Sequence, residues 1–95
     1  MRTLIAELVF TVAAVSKLDR RGISTAEVCD LPWNRYRVVA NPHGPNPERR
    51  FLIGQTNSGR PLTIVIGPTD DPTTWLVITG WEATIAQRRL LDAES

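Results

Sequence analysis

Between Arg50 and Trp81 the chain spends three successive segments on β-branched and other apolar residues. They are Arg50-Phe51-Leu52-Ile53-Gly54, Pro61-Leu62-Thr63-Ile64-Val65-Ile66-Gly67 and Trp75-Leu76-Val77-Ile78-Thr79-Gly80-Trp81. Such residues suit a pleated, half-buried surface. Asn57-Ser58-Gly59-Arg60 between the first two reads as a hairpin with a four-residue loop. A short chain that commits this much length to one sheet must use its remaining apolar residues to cover a face of it. The other elements are therefore expected as lids over a sheet.

That loop also predicts a register. With Thr56 opposite Pro61, Ile53 faces Ile64 and Phe51 faces Ile66, so these four share the face under the helices. Arg50, Leu52, Gly54, Thr63 and Val65 then form an opposite floor, half apolar and half polar, where a binding site could sit. Tyr36–Ala40 reads as a further strand at an edge. The segment Asn41–Pro47, dense in Gly, Pro and Asn, is a loop.

The helices carry clear start and stop signals. Thr11 precedes Val12-Ala13-Ala14-Val15, and Arg20-Arg21-Gly22 is a fitting stop, because cations and a glycine complement a helix C-terminus. This predicts an extended lead or strand over residues 7–11 and a helix from about Val12 to Arg20. Ser24-Thr25-Ala26-Glu27 is a capping box, Ile23 can staple against Val28, and Pro32 disfavours helix at Leu31. A second helix is expected over Thr25–Leu31, and a third, amphipathic one over Ile85–Ala93 behind Thr84. The fold class is thus α+β: an antiparallel sheet of about four strands with two N-terminal helices and one C-terminal helix.

Ninety-five residues are expected to form one domain, 1–95, since a chain of this size cannot divide into two cores. A net charge of +1 offers no overall basic excess of the kind nucleic-acid binders usually show. Yet the cations come in groups: Lys17/Arg20/Arg21, Arg35/Arg37, Arg49/Arg50 and Arg88/Arg89. These groups are either solvated surface charge or parts of a basic face. Cys29, the single cysteine, reads as a small buried hydrophobe, and His43 as a loop histidine. Trp33, Trp75 and Trp81 read as core, or as interface anchors if exposed. The start Met1-Arg2-Thr3-Leu4-Ile5-Ala6 mildly imitates a signal peptide, but Glu7 interrupts it, and no run approaches a membrane span. The expected setting is cytoplasmic, with no membrane and no cofactor or metal.

Serine triads, phosphate-binding glycine loops and paired-carboxylate signatures are absent from the sequence. What remains is arginine, accompanied by Lys17, Tyr36 and Glu48. Arginine forks bind phosphate in bidentate fashion and stabilise charge developing on a phosphoryl group.

The order of Arg20-Arg21-Gly22-Ile23-Ser24-x-x-Glu27, Glu48-Arg49-x-x-x-x-Gly54, Gly59-Arg60-x-Leu62 and Ile78-Thr79-x-x-x-Ala83-Thr84 with Arg88-Arg89 resembles the BrnT-type toxins. These belong to the RelE/ParE-like group of bacterial type II toxin–antitoxin systems. The resemblance spans most of residues 10–91. It implies metal-independent endoribonuclease activity on an RNA substrate, by attack of a 2′-hydroxyl on the neighbouring phosphate. It also implies a cognate antitoxin as partner, often a dimer that binds operator DNA. Carried over by position, the catalytic candidates are Arg20, Arg21, Glu48, Arg49 and Arg60, with Arg50 added because parity aims it at the floor. Arg20 and Arg21 stand where the family has Lys and His, Trp81 where it has an arginine, and Gln87 where it has a glutamate. The alternative is a non-catalytic protein-binding module of the same fold. Converging arginines would mark the first reading and an apolar tryptophan patch the second.

Overall fold

The computed structural model describes residues 3–41 and 46–93; the loop histidine His43 lies outside them. Its elements are β1 (Glu7–Phe10), α1 (Val12–Asp19), α2 (Thr25–Asp30), a 3₁₀ turn (Leu31–Trp33), β2 (Tyr36–Ala40), β3 (Arg50–Gln55), β4 (Pro61–Pro68), β5 (Thr74–Glu82) and α3 (Ile85–Asp92). The fold is α+β, with two helices before the sheet hairpins and one after them. Five strands run in the order β1-β5-β4-β3-β2, antiparallel except for β1, which lies parallel to β5 with Glu7 beside Thr74 and Phe10 beside Val77. The lead segment thus supplies a fifth strand and makes the sheet mixed.

Local chemistry explains the boundaries. The Thr11 hydroxyl accepts from Ala14 N at 3.0 Å and opens α1. At its end Gly22 takes φ +69°, and Ile23 N and Gly22 N donate to the carbonyls of Leu18 and Asp19, each at 3.0 Å. This is the Schellman arrangement, in which the left-handed glycine lets the last carbonyls find partners. Ser24 and Glu27 form the expected capping box of α2. A second box, Thr84 with Gln87, opens α3. Pro32 does not stop the chain from coiling; it is accommodated in the 3₁₀ turn after Asp30.

The register differs by one residue from the sequence expectation. Gln55, not Thr56, pairs with Pro61, so Ile53 faces Thr63, Leu52 faces Ile64 and Phe51 faces Val65. The cause is Gly59. Its φ of +88° and the bond from Gly59 N to Thr56 O (2.9 Å) make a β-turn followed by a left-handed residue. Thr56 N then donates to Arg60 O at 2.9 Å, which closes a three-residue loop rather than the expected four-residue one. Because side chains alternate along a strand, this exchanges the two faces of β3 while leaving β4 as expected.

The main core lies on the side of α1 and α2. Leu52, Leu62, Ile64, Ile66 and Val77 from the sheet meet Ala14, Leu18, Ile23, Val28 and Leu31 from the helical side. Phe51 and Ile53 belong to the other face, where Ile53 and Leu91 of α3 are buried and Phe51 is half-buried. α3 packs across β3 and β2 on that face. Arg35 pairs with Asp92 at 3.0 Å and Arg37 donates to Leu90 O at 2.9 Å, which fastens the helix to β2. Two further expectations change. Cys29 is exposed on the outer side of α2, and Trp33 is 88% exposed on the 3₁₀ turn. Trp75 packs against the core as anticipated.

Gly80 marks the closest approach of α1 to the sheet. A Cβ there would collide with the Ile64 side chain and stand 3.1 Å from both Leu18 Cδ2 and Thr63 O. Gly80→Ala is therefore expected to lower stability by about 1–3 kcal/mol through overpacking, measured as an earlier midpoint in urea unfolding at unchanged slope.

Candidate functional site

Arg60 and the group Glu48, Arg49 and Arg50 lie at opposite ends of the β3–β4 hairpin, with Arg21 at a level between them. Arg60 precedes Pro61, and Arg21 reaches the Gly80 carbonyl at the level of Ile64. Glu48, Arg49 and Arg50 lie at the other end, where Arg50 pairs with Ile66. Five residue steps separate Pro61 from Ile66, roughly 17 Å at about 3.3 Å per residue. Arg60 and Arg50 therefore do not meet in a single arginine pocket.

Arg60 is engaged through Nε and one of its two terminal nitrogens. Its Nε donates to Glu82 Oε1 at 2.9 Å, and one terminal nitrogen donates to Gly22 O at 2.9 Å and to Glu27 Oε2 at 3.0 Å. One guanidinium thus ties the start of β4 to the end of β5 and to the turn between α1 and α2. The Ser24 backbone amide, and next Arg60, hold the Glu27 carboxyl below its ordinary range. The two carboxylates push Arg60 further up. Arg50 is turned inward on its own loop, donating to the carbonyls of Pro47 (2.6 Å) and Arg49 (2.9 Å). With the corrected register it sits on the helix-covered side of the sheet, and Arg49 on the half-open side. There the stem of Arg49 lies across Gly67. Glu48 is exposed in the turn before β3.

Arg21 makes the most specific arrangement. β1 ends opposite Val77, so among the described residues the outer edge of β5 beyond that point has no strand neighbour. The guanidinium of Arg21 caps this edge at Gly80 O (3.3 Å) and stands 5.9 Å from the centre of the Trp81 ring. At that range a cation is attracted to the aromatic face. Phe51 meets Trp81 edge-on at 5.6 Å between centroids, with an interplanar angle of 85°. Arg21, Trp81, Phe51 and Arg49 thus form a file of cation, aromatic, aromatic and cation on the half-open face.

A hydrogen-bond node fixes the indole. Gln87 Oε1 accepts from Trp81 Nε1 (3.2 Å), from the buried Thr63 hydroxyl (2.8 Å) and from Thr84 N (2.9 Å). The same glutamine caps α3 and orients Trp81. Arg88 and Arg89 are exposed on that helix, and Arg20 is exposed at the end of α1. Sequence reasoning missed the file because the four-residue loop put Phe51 under the helices. The usable signal was Asn57-Ser58-Gly59, with glycine at the left-handed position of a three-residue loop.

Other chemistry finds little support. Partial desolvation, and next Asp30, push the Cys29 thiol up, away from the thiolate a nucleophile needs. Among the described residues no three His, Cys, Asp or Glu side chains are grouped as metal ligands, and no helix is long and apolar enough to cross a membrane.

Two expectations follow. Glu27 is held below its ordinary range, so its contribution to stability is complete above that range and is lost as pH falls through the lowered folded value. Thermal unfolding followed from pH 6 downward should show a declining midpoint below about pH 4.5, with a shallower decline in Arg60→Met. Gln87→Leu removes the acceptor of three donors, one of them the buried Thr63 hydroxyl. A loss of about 2 kcal/mol is expected, together with a red shift and broadening of tryptophan emission; Gln87→Glu should retain both.

Comparison of the chain with family models, curated proteins and solved structures returns no match, so its function is read from its own residues and geometry.

Proposed function

We propose that this domain is an RNA-directed toxin similar to the BrnT-type members of the RelE/ParE-like group, held in check by a cognate antitoxin protein. The observation that carries the reading is the guanidinium of Arg21 over Trp81, with Phe51 edge-on beside it and Arg49 beyond. Aromatic faces flanked by cations suit single-stranded RNA, since unpaired bases stack on the rings while phosphates meet the arginines. Trp81 stands where the resembled family has an arginine. The substitution exchanges a phosphate contact for a stacking surface and keeps Arg21 as the adjacent cation.

Cleavage on this reading is attack of a ribose 2′-oxygen on the neighbouring phosphorus. The 5′-oxygen departs, leaving a cyclic phosphate. Arg49, beside Glu48, stabilises the added negative charge, while Arg21 and Arg20, on the far side of Phe51 and Trp81, hold a neighbouring phosphate of the strand. Glu48, beside Arg49, is the carboxylate among the candidates that can accept the 2′-hydroxyl proton. Arg60 acts as a positioning residue, because its donors are directed to Glu27, Glu82 and Gly22.

A second reading, a protein-binding module without catalysis, is favoured by the engagement of Arg60 and by Trp33, 88% exposed. Induced expression in a bacterial host separates the two. Growth arrest with RNA breakdown is expected for the wild type, with loss of both in Arg21→Ala and Arg49→Ala. Trp81→Ala should bind a labelled single-stranded RNA roughly tenfold or more weakly, about 1–3 kcal/mol per stacked base. Normal growth with folded protein accumulating, and no RNA binding in vitro, would contradict the toxin reading.

A further inference from the structure

Among the described residues, Leu4, Val9, Val12 and Val15 stand exposed on the lead, on β1 and on the helix after it, and exposed Trp33 lines the groove beside the lead. β1 is an end strand of the sheet. β1 pairs with β5 on one side, and the sheet ends there. Outward-pointing amides and carbonyls of an end strand have no ladder partner, and proteins ordinarily blunt such edges with charge, proline or a cover. This edge is instead flanked by apolar grooves at both ends. One of about 570 Å³ runs between the lead into β1 and the segment Cys29–Trp33. The other, about 470 Å³, lies between Phe10 and the Val12–Asp19 face of α1.

We propose that the edge of β1 receives an extended segment of a partner protein as an added strand. Its apolar side chains would enter the two grooves, and basic residues would flank them. An open strand edge calls for extended backbone, and alternate side chains of an added strand then provide specificity. The sign of the flanking charge follows from the lining. Among the described residues, Glu7 in the first groove and Asp19 in the second are the only charged ones lining them, on a chain carrying eleven Lys and Arg in all. Complementary charge steers and orients such an encounter. A second copy of this chain is disfavoured by the same fact, since it would bring Glu7 and Asp19 to an edge already acidic. The inference is independent of the RNA reading, which concerns Arg21, Trp81, Phe51 and Arg49.

The test is a titration of the isotope-labelled protein, followed by its amide and indole signals. The probe is a blocked nonapeptide of sequence Lys-Val-Thr-Val-Lys-Val-Thr-Val-Lys, compared with its twin carrying Glu for each Lys. The expected result is saturable shifts confined to residues 4–15 and the Trp33 indole, with slowed exchange of β1 amides. A dissociation constant below about 1 mM and at least about tenfold weaker binding of the acidic twin are expected. Glu7→Lys, an exposed substitution whose unchanged spectrum verifies folding, should weaken the basic peptide by a similar factor. Equal binding of the two peptides, shifts confined to the Arg21–Trp81 side, or no shifts at all would overturn the proposal. Concentration-dependent self-association through β1 in the free protein would also overturn it, in favour of a second copy.

Discussion

The face of the sheet on which Arg49, Arg50 and Phe51 stand depends on one tight turn. Gly59 adopts a left-handed conformation, closes the β3–β4 hairpin with a three-residue loop and thereby decides which face of β3 looks toward the helices. The tip is then locked from three directions. Arg60 joins it to Glu27, Glu82 and the Gly22 carbonyl; Asp30 accepts from Asn57 N; and the Asn34 amide donates to Gln55 O and Asn57 Oδ1. Singly, part-exposed ion pairs contribute little. A guanidinium shared by three elements does more, because removing it takes a donor from the Glu82 carboxylate, from one oxygen of Glu27 and from the Gly22 carbonyl.

The turn also divides labour among the arginines. Those near α3 and the hairpin, Arg35, Arg37 and Arg60, hold elements together. Arg21 does both tasks, capping the bare edge of β5 and lying over Trp81. The side chains of Arg20, Arg49, Arg88 and Arg89 have no hydrogen-bond or ion-pair partner among the described residues and carry the charge available for a ligand. A near-neutral chain can thus present a local cationic surface, because its acids are spent on internal ties such as Glu27, Glu82 and Asp92.

Much of the architecture was legible in the residues. Thr11, Ser24 and Thr84 announce helix starts, the Arg20-Arg21-Gly22 stop precedes a true left-handed glycine, and Val28 and Leu31 are buried as their spacing suggests. Three features were not legible. The parallel pairing of β1 with β5 joins segments some sixty-seven residues apart, Glu7 beside Thr74, and no local pattern reports such a partner. The hairpin register turned on whether Arg60 belonged to the loop or to the strand pair, a single-residue choice that exchanges whole faces. The engagement of Arg60 also escaped, because a guanidinium that binds phosphate and one that binds Glu27 and Glu82 look alike in a sequence.

The measurement closest to the centre of this account is the set of Hα–Hα nuclear Overhauser contacts across β3 and β4. With Thr56 N bonded to Arg60 O, the close non-hydrogen-bonded pairs along an antiparallel ladder are Ile53 with Thr63 and Phe51 with Val65. Strong contacts at those two pairs would support the register that puts Phe51 beside Trp81 on the half-open face. Contacts of Ile53 with Ile64, or of Phe51 with Ile66, would contradict it. The file of Arg21, Trp81, Phe51 and Arg49 would then not exist as described.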